Sequence, residues 1–196
     1  MKLADFRDKK VLITGHTGFK GSWLATWLSL LGAKVYGFSD KINTDPSHFN
    51  YIKNFITEDI RGDIRSKAKI KDEISKIKPD YLFHLAAQSI VNKSYSDPTI
   101  TWETNLIGTV NVLDSLRVLK NKCTSIIITS DKCYDNVEWV WGYRETDKLG
   151  GPDPYSASKG AAELAISSYF RSYFKNESNI RIASARAGNV IGGGDW

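Results

Sequence analysis

The sequence is poor in the features that mark secreted, membrane-spanning and metal-binding proteins. Its two cysteines, Cys123 and Cys133, have neither metal-ligand spacing nor a disulfide framework around them, so no metal site is predicted. No stretch approaches the roughly 20 apolar residues of a membrane-spanning helix. The charged N-terminal segment, residues 1–10, is not followed by the apolar run of a signal peptide. We therefore expect a reduced, cytoplasmic protein that makes no membrane contact.

Basic blocks interleaved with aromatic residues are also missing, so nothing in the sequence points to nucleic acid. The formal net charge of +5 suits a protein that binds anionic phosphates. The lysines and arginines are scattered, however, and a solvated basic surface explains them equally well. With 196 residues, of which 41% are hydrophobic, the chain is long enough for one domain with its own core.

Short apolar runs alternate with helical patterns along the chain. Strands that are apolar on both faces, each followed by a helix, indicate a parallel sheet covered on both sides, and right-handed crossovers then give a doubly wound α/β fold of the Rossmann type. Residues 39–55 are polar, contain Pro46 and are predicted to be a long irregular connection. The predicted strands are residues 11–13, 35–38, 56–60, 81–85, 125–129 and 180–183, and the predicted helices are residues 22–31, 66–76, 99–119 and 156–174.

The last five residues are three glycines followed by Asp195 and Trp196. A flexible glycine run with a large aromatic side chain at its end is an unusual place for a natural domain to stop. We expect residues 1–196 to be one domain of a longer protein.

A glycine-rich loop follows the first predicted strand and opens the first helix. Glycines in a G-x-x-G-x-x-G pattern permit a tight turn, close approach of the backbone to a pyrophosphate and close packing of helix on strand. The helix N-terminus adds N–H donors and a partial positive charge. Between a strand and a helix, this pattern predicts a dinucleotide site. The predicted cofactor contacts are Gly15, Thr17, Gly18, Phe19, Lys20 and Gly21.

Acidic residues follow the next two predicted strands. Asp40, after the second strand, is placed to bind the adenosine ribose and to repel a 2′-phosphate, which favours NAD. The neighbouring Lys41 could accommodate that phosphate, so NADP stays open. Asp63 and Ile64 follow the third strand and are predicted to contact the adenine, although Asp63 would serve equally well as a turn residue.

A Y-x-x-x-K pair, Tyr155 and Lys159, begins the helix after the fifth predicted strand. Their spacing of four places both side chains on one helix face. A nearby ammonium group and the positive nicotinamide favour the phenolate, so we expect a lowered pKa that makes Tyr155 a base near neutral pH.

Together these motifs resemble the extended short-chain dehydrogenases/reductases. The resemblance rests on the glycine loop, on residues 84–88 (His-Leu-Ala-Ala-Gln), on Asn105, and on Tyr155 with Lys159. It implies that Ser130 is the third catalytic residue and that Tyr155 and Lys159 also contact NAD. It further implies cofactor contacts from Leu85, Ala86, Ala87, Gln88 and Thr104.

Asp131 and Lys132 narrow the resemblance, because sugar-nucleotide 4,6-dehydratases need an acid–base pair directly after the Ser130 position. An Asp-Lys pair is similar to the CDP-glucose 4,6-dehydratase subfamily, and so are residues 15–24, 142–145, 153–156 and 185–196. The alternative is that Asp131 and Lys132 form a surface turn with a weak ion pair.

The resemblance implies that CDP-D-glucose loses water to give its 4-keto-6-deoxy product, a step of deoxysugar and lipopolysaccharide biosynthesis. Tyr155 and Ser130 would act at the hydroxyl of carbon 4, Lys132 would remove the carbon-5 proton, and Asp131 would protonate the departing carbon-6 hydroxyl. Asn189 would contact the substrate diphosphate. A smaller substrate domain is expected beyond residue 196.

The family also tends to form homodimers through the helices that match residues 99–119 and 156–174. Leu164 and Tyr169 are compatible with that interface, and equally with core packing. A sugar-nucleotide epimerase of the same fold would keep Ser130, Tyr155 and Lys159 without needing an acid–base pair at residues 131–132. A non-catalytic dinucleotide sensor would need none of the three.

Overall fold

Six strands form one parallel sheet in the computed structural model, which describes residues 6–176 and 179–195. The strand order is β3-β2-β1-β4-β5-β6, which confirms the predicted doubly wound α/β fold. All six predicted strands exist, with bounds that differ by at most two residues. Trp196 lies outside the described residues. The strands are β1 Lys10–Thr14, β2 Lys34–Ser39, β3 Glu58–Arg61, β4 Tyr81–His84, β5 Cys123–Ile128 and β6 Ile180–Ala185.

Two hydrophobic clusters cover the two faces of the sheet, because successive strand residues point to opposite sides. Val11 and Ile13 of β1 face helices α1 (Phe19–Leu30) and α2 (His48–Ile52). Leu12, between them, belongs to the cluster that includes residues of α3 (Lys67–Ile77), α6 (Gly108–Arg117) and α7 (Pro154–Tyr169). Apolar runs buried on both faces are the reason that the parallel sheet could be predicted.

The segment predicted as irregular is partly helical. Phe49 and Ile52 of α2 are buried against the core, and a 3-10 turn, Lys53–Phe55, follows them directly. Tertiary packing of these two apolar side chains outweighs the polar, proline-containing sequence around them.

The predicted helix 99–119 is interrupted. Its residues form α5 (Pro98–Trp102), a π-helical turn (Glu103–Ile107) and α6, and an unpredicted short helix, α4 (Val91–Ser96), comes before them. Asp97 starts α5 by accepting a hydrogen bond from the Ile100 N–H at 3.1 Å. A π turn leaves no mark in apolar periodicity, which explains why the pattern predicted one continuous helix.

Helix α7 begins two residues earlier than predicted. The Asp153 carboxylate accepts hydrogen bonds from the N–H of Ser156 at 3.0 Å and from its hydroxyl at 2.6 Å. The helix ends in a second π turn, Phe170–Phe174. Leu164 is exposed, as an interface residue would be, but Tyr169 is half-buried and donates to Asp114 of the same chain at 3.0 Å.

None of the helices within residues 6–176 and 179–195 combines the length and apolar character needed to span a bilayer.

The strand order reverses between β1 and β4, so the helices that follow these neighbouring strands leave toward opposite faces. In such sheets the crevice at the carboxyl ends of the two strands is the place where ligands bind. The glycine loop after β1 and the segment after β4 meet at this point.

Candidate functional site

The glycine loop, residues 15–21 (the phosphate loop), is shaped by contacts that leave no room for side chains. Gly15 has φ +75° and donates its N–H to the Phe38 carbonyl at 2.8 Å, and a Cβ there would lie 2.7 Å from the Ala86 nitrogen. A Cβ on Gly21 would lie 2.2 Å from the Gly15 carbonyl oxygen. On Gly18 it would make only a 3.4 Å contact. The first and third glycines therefore shape the loop, and the middle one keeps its outer surface open.

The N-terminus of α1 is open to an anion. Gly18 precedes the helix without a side-chain cap, and the first turn contains no acidic residue. Its N–H groups consequently have no intrahelical partner, and Lys20 adds a positive charge beside them. Phe19 and Lys20 both line a cavity at this helix end.

Thr17 fastens the phosphate loop to the segment after β2. Its hydroxyl donates to the Lys41 carbonyl at 2.8 Å. Asp40, which directly follows β2, is exposed and accepts a hydrogen bond from the Lys41 N–H at 2.7 Å. The carboxylate that sequence reasoning assigns to the adenosine ribose therefore lies beside the loop that would hold the diphosphate.

Asp63 and Ile64, predicted to contact the adenine, are engaged by their own chain. Arg65 donates to the Asp63 carboxylate through its guanidinium at 2.6 Å, and these hydrogen bonds hold the pKa of Asp63 below its usual value. Arg65 also reaches Glu103 at 3.1 Å. Ile64 is buried in the core beside Gly108. The reading of Asp63 as a turn residue thus gains support from its contacts.

The segment after β4 is held by a network of buried amides. Asn105, in the π turn, accepts from the Gln88 N–H at 2.8 Å and donates both to the Gln88 carbonyl at 3.0 Å and to the Ser158 hydroxyl at 2.9 Å. The Gln88 side chain donates to Thr101 at 3.0 Å. Asn105 therefore joins this segment to α7. The side-chain amide of Gln88 is occupied by hydrogen bonds within the protein.

The other residues predicted on this side of the site are less constrained. Leu85 lines the cavity, and Ala86 donates its N–H to the Thr14 hydroxyl at 3.2 Å. Ala87, after them, and Thr104, in the π turn, are half-buried.

Ser130 ends the β5 segment and lies beside Tyr155. Its hydroxyl accepts from the Lys132 N–H at 3.2 Å and so starts the short turn formed by residues 130–134 (the acid–base turn). Burial raises the pKa of Tyr155, while a hydrogen bond with Ser130 lowers it. From the protein's own groups the net direction is upward, opposite to the lowering expected beside a bound nicotinamide, because burial outweighs the hydrogen bond.

Lys159, one helical turn after Tyr155, is buried. Burial lowers its pKa to about 8, and the positive charge of Lys20 contributes in the same direction. The phosphate loop and the Y-x-x-x-K helix thus bring two cationic side chains toward one place, which suits an anionic ligand.

Asp131 and Lys132 differ from the rest of the site because both side chains are exposed. The Ser130 hydroxyl donates to the Asp131 carboxylate at 3.0 Å. The Asp131 N–H is anchored to the Ala187 carbonyl at 3.0 Å, so the backbone of the turn is fixed although the two side chains reach into solvent.

A cavity of about 440 Å³ lies between the phosphate loop and the carboxyl ends of β4, β5 and β6. Ile128 and Ala187 contribute to its wall next to the acid–base turn, and Trp23 lies on its opposite side, where its indole donates to the Gly193 carbonyl at 2.9 Å. Asn189, predicted to contact a substrate diphosphate, is exposed in the segment after β6, whose next residues also line the cavity.

Sequence reasoning missed two buried charged residues behind the site. Glu163 accepts from Thr129, and it pairs with Arg186 at 3.0 Å. The only local signal is that Glu163 follows Lys159 by four residues and thus lies on the face that carries Tyr155 and Lys159.

His84, the first residue of the His-Leu-Ala-Ala-Gln motif, is a further buried polar residue near the site. It is buried between the hydroxyls of Thr14, at 2.7 Å, and Thr109, at 3.1 Å, and burial lowers its pKa to about 3. His84 is therefore neutral and ties β4 to β1 and α6.

Known proteins are similar to this chain in sequence and in fold. Residues 12–188 match the family described as GDP-mannose 4,6 dehydratase. The chain is 50% identical to a CDP-glucose 4,6-dehydratase of Salmonella typhimurium over 97% of its length, and 33% identical to a CDP-paratose 2-epimerase of Salmonella typhi over 91%. The crystal structure of UDP-glucose 4-epimerase from Thermus thermophilus in complex with NAD superposes with a TM-score of 0.77 at 27% identity, covering 90% of this chain and 54% of the epimerase.

The chain covers 55% of the length of the dehydratase and 58% of that of the paratose epimerase. The family match, by contrast, extends over most of the present chain, from within β1 to the segment after β6. It includes the phosphate loop, the acid–base turn and the Tyr155–Lys159 pair. The chain belongs to the family described as GDP-mannose 4,6 dehydratase.

Proposed function

We propose that this protein is the NAD-binding part of a dehydratase that converts CDP-D-glucose into CDP-4-dehydro-6-deoxy-D-glucose. The observation that carries the proposal is the place of Asp131 and Lys132. They directly follow Ser130, which lies beside Tyr155, at the same sheet edge as the uncapped N-terminus of α1. An acid and a base at this position serve an elimination and have no use in a simple oxidation.

NAD fits the residues that are present. The open N–H groups of α1 and Lys20 would hold the diphosphate, Gly18 leaves room for it, and Asp40 would bind the adenosine ribose. Lys159 would bind the nicotinamide ribose. When bound, NAD supplies the reversible hydride acceptor that a dehydration without net oxidation requires.

The first half of the reaction needs a base at carbon 4 of the sugar. Tyr155 would take the hydroxyl proton, and Ser130 would hydrogen-bond the same oxygen. Because burial raises the Tyr155 pKa, the phenolate must be favoured by charges that arrive with the ligands and by a protonated Lys159. With a pKa of about 8, Lys159 is mostly protonated at pH 7.

The second half is the loss of water across carbons 5 and 6, after which carbon 6 takes back the hydride and carbon 5 takes back a proton, so that the 4-keto-6-deoxy product forms without net oxidation. The carbon-4 ketone acidifies the carbon-5 proton, Lys132 would accept that proton, and Asp131 would donate one to the departing carbon-6 hydroxyl. Both side chains are exposed in this structure. Closure over the substrate must therefore remove water from the turn, which penalises the charged forms of both side chains.

The cytidine nucleotide is proposed from the 50% identity to a CDP-glucose 4,6-dehydratase. The alternative function, a sugar-nucleotide epimerase, draws on the similar folds of epimerases, but it leaves the Asp131–Lys132 pair without a role.

We propose that this protein acts in deoxysugar and lipopolysaccharide biosynthesis. We also propose a cytoplasmic location, with which the free, buried Cys123 and Cys133 are compatible, and pairing into a homodimer through exposed residues such as Leu164.

The test is loss of one water, followed by mass spectrometry. The chain, and in parallel the longer protein that contains it, are incubated with NAD and with CDP-glucose, dTDP-glucose, UDP-glucose or GDP-mannose. Water loss from CDP-glucose alone is expected in the longer protein. Turnover of a different nucleotide sugar would overturn the proposed base preference. Interconversion of sugar epimers without a mass change would favour the epimerase.

A further inference from the structure

Glu163 and Arg186 form a buried ion pair behind the acid–base turn. The Arg186 guanidinium donates to one Glu163 oxygen at 3.0 Å, and the Ser184 hydroxyl donates to the same oxygen at 3.0 Å. The other Glu163 oxygen accepts from the Thr129 hydroxyl. The side chains of Glu163 and Arg186 are only 4% and 17% exposed.

The partners of this pair lie on both sides of the turn in sequence. Thr129 is the residue before Ser130. At the other end, Arg186 donates to the Tyr134 hydroxyl at 2.8 Å and lies 4.9 Å over the Tyr134 ring. Arg186 also donates to the Glu145 carbonyl at 3.0 Å, which fixes the loop that follows the turn.

Helix α7, which contributes Glu163 to the ion pair, also carries residues of the hydride-transfer half of the site. Glu163 lies on α7 one turn after Lys159 and two turns after Tyr155. One carboxylate therefore connects the helix of the hydride-transfer residues to the strand end that precedes the acid–base turn. Its partner Arg186 connects the same point to the residue that ends the turn.

Stability alone is a weak reason for such a pair. Removing two charges from water costs free energy that their attraction only partly returns, and neutral replacements of buried pairs are often no less stable. The arrangement instead fixes the orientation of the backbone of the turn. The side chains of Asp131 and Lys132 are exposed, so only this backbone can orient them.

We propose that Glu163 and Arg186 are positioning residues that hold Asp131 and Lys132 at a fixed distance from Tyr155. The inference rests on the proposed function, because it assigns the pair to the elimination half of that reaction. The pair touches none of the reacting atoms. Loss of the link should impair carbon-5 proton removal more than hydride transfer, which depends on Tyr155, Ser130 and Lys159.

The first measurement needs no turnover. Amide hydrogen exchange is compared in the cofactor-free chain, Glu163→Gln, and Glu73→Gln. Glu73 is a matched control, a buried carboxylate on α3 that pairs with Lys69 at 2.9 Å. We expect Glu163→Gln to speed exchange at Asp131, Cys133 and Tyr134 at least tenfold, with less than threefold change in α1 and α3. Equal acceleration throughout the chain would overturn the linkage.

The second measurement separates the half-reactions in the full-length protein. NADH formation reports hydride transfer from carbon 4, and uptake of solvent deuterium at carbon 5 reports proton removal. Glu163→Gln is expected to slow deuterium uptake at least tenfold more than NADH formation. Equal slowing of the two half-reactions contradicts the proposal.

A double variant separates positioning from stability. Glu163→Gln with Arg186→Met removes both charges, so the melting temperature should return to within a few degrees of the wild type while deuterium uptake stays slow. Recovery of uptake together with stability would make the pair merely structural. If the unaltered full-length protein dehydrates no nucleotide sugar, the proposed function fails, and the exchange comparison still decides whether the pair holds the turn.

Discussion

The phosphate loop and the acid–base turn both follow strands of one parallel sheet at the same edge, yet they are built differently. The loop is a backbone structure, in which Gly15 and Gly21 approach other main-chain atoms so closely that a Cβ would collide. The turn is held by side chains, namely the Ser130 hydroxyl within it and the Glu163–Arg186 pair behind it.

Because of this difference, we expect substitutions in the loop to affect folding and substitutions in the turn to affect the reaction. A loop made of close backbone contacts tolerates no added atom, so its substitution should damage the fold. The exposed Asp131 and Lys132 make few contacts, so their substitution should leave the fold intact and affect the reaction alone. Six substitutions, one of them a matched control and one a companion variant, test this contrast in order of decreasing effect.

Gly21→Ala should have the largest effect. The new Cβ would lie 2.2 Å from the Gly15 carbonyl, so the loop or α1 must move. We expect the free energy of unfolding to fall by about 3 kcal/mol or more, and NAD binding to disappear. Urea unfolding and calorimetric titration measure the two quantities.

Gly18→Ala is the matched control for Gly21→Ala, because its Cβ meets nothing closer than 3.4 Å. It should cost less than about 1 kcal/mol of stability and still weaken NAD binding, since the methyl group occupies the surface open to the diphosphate. Equal destabilisation by the two substitutions would show that the glycines do not differ in role.

Lys132→Met tests the turn in the full-length protein. We expect the melting temperature and NADH formation to stay unchanged and deuterium uptake at carbon 5 to fall about 1000-fold, a typical loss for a general base. Asp131→Asn is the companion variant, which should keep deuterium uptake and slow water loss. Full dehydratase activity in Lys132→Met would remove Lys132 from the mechanism.

Lys159→Met tests the buried lysine of the site against the exposed one. Burial lowers the Lys159 pKa from 10.5 to about 8. Below pH 8 the folded cofactor-free chain must hold this ammonium at a cost of about 3 kcal/mol. The variant should therefore be more stable than the wild type at pH 7, as urea unfolding would detect.

The stability of the wild type should depend on pH because of the lowered Lys159 pKa. Between pH 8 and 10.5 the unfolded wild type binds a proton that the folded form has lost, so wild-type stability rises with pH and the advantage of Lys159→Met shrinks. Lys132→Met, at an exposed position, should match the wild type at pH 7 and at pH 9.5. A variant Lys159→Met that is less stable at both values would contradict the burial cost.

Asp63→Asn should have the smallest effect. Its carboxylate is half-exposed and bound by Arg65 at 2.6 Å, and such surface pairs contribute less than about 1 kcal/mol. We expect the Kd for NAD to rise no more than about threefold. A rise above tenfold in calorimetric titration would restore the predicted adenine contact.

The sequence predicted what is encoded locally. The phosphate loop could be identified because glycine spacing directly reflects backbone contacts, and the sheet could be identified because its strands are apolar on both faces. The Tyr155–Lys159 pair was recognisable from its spacing on one helix. The family resemblance added Ser130, Asp131 and Lys132, and their roles remain predictions.

What sequence could not provide depends on distant partners. Glu163 and Arg186 are 23 residues apart and look like ordinary surface charges until the fold buries them together. The rise of the Tyr155 pKa follows from burial by the surrounding elements. The hydrogen bonds from Arg65 to Asp63 and Glu103 likewise become visible only when the fold brings the β3 segment and the π turn together.

The π turn at Glu103–Ile107 carries an evolutionary consequence. Such a turn holds one residue more than an α-helix of the same length, as if a single codon had been inserted into a regular helix. Deleting one residue here should restore a continuous helix and close the widened turn, which moves the side chains within the turn relative to the flanking residues. Asn105 could then no longer contact Gln88 and Ser158 together, so a one-codon deletion would separate helix formation from the anchoring of the β4 segment.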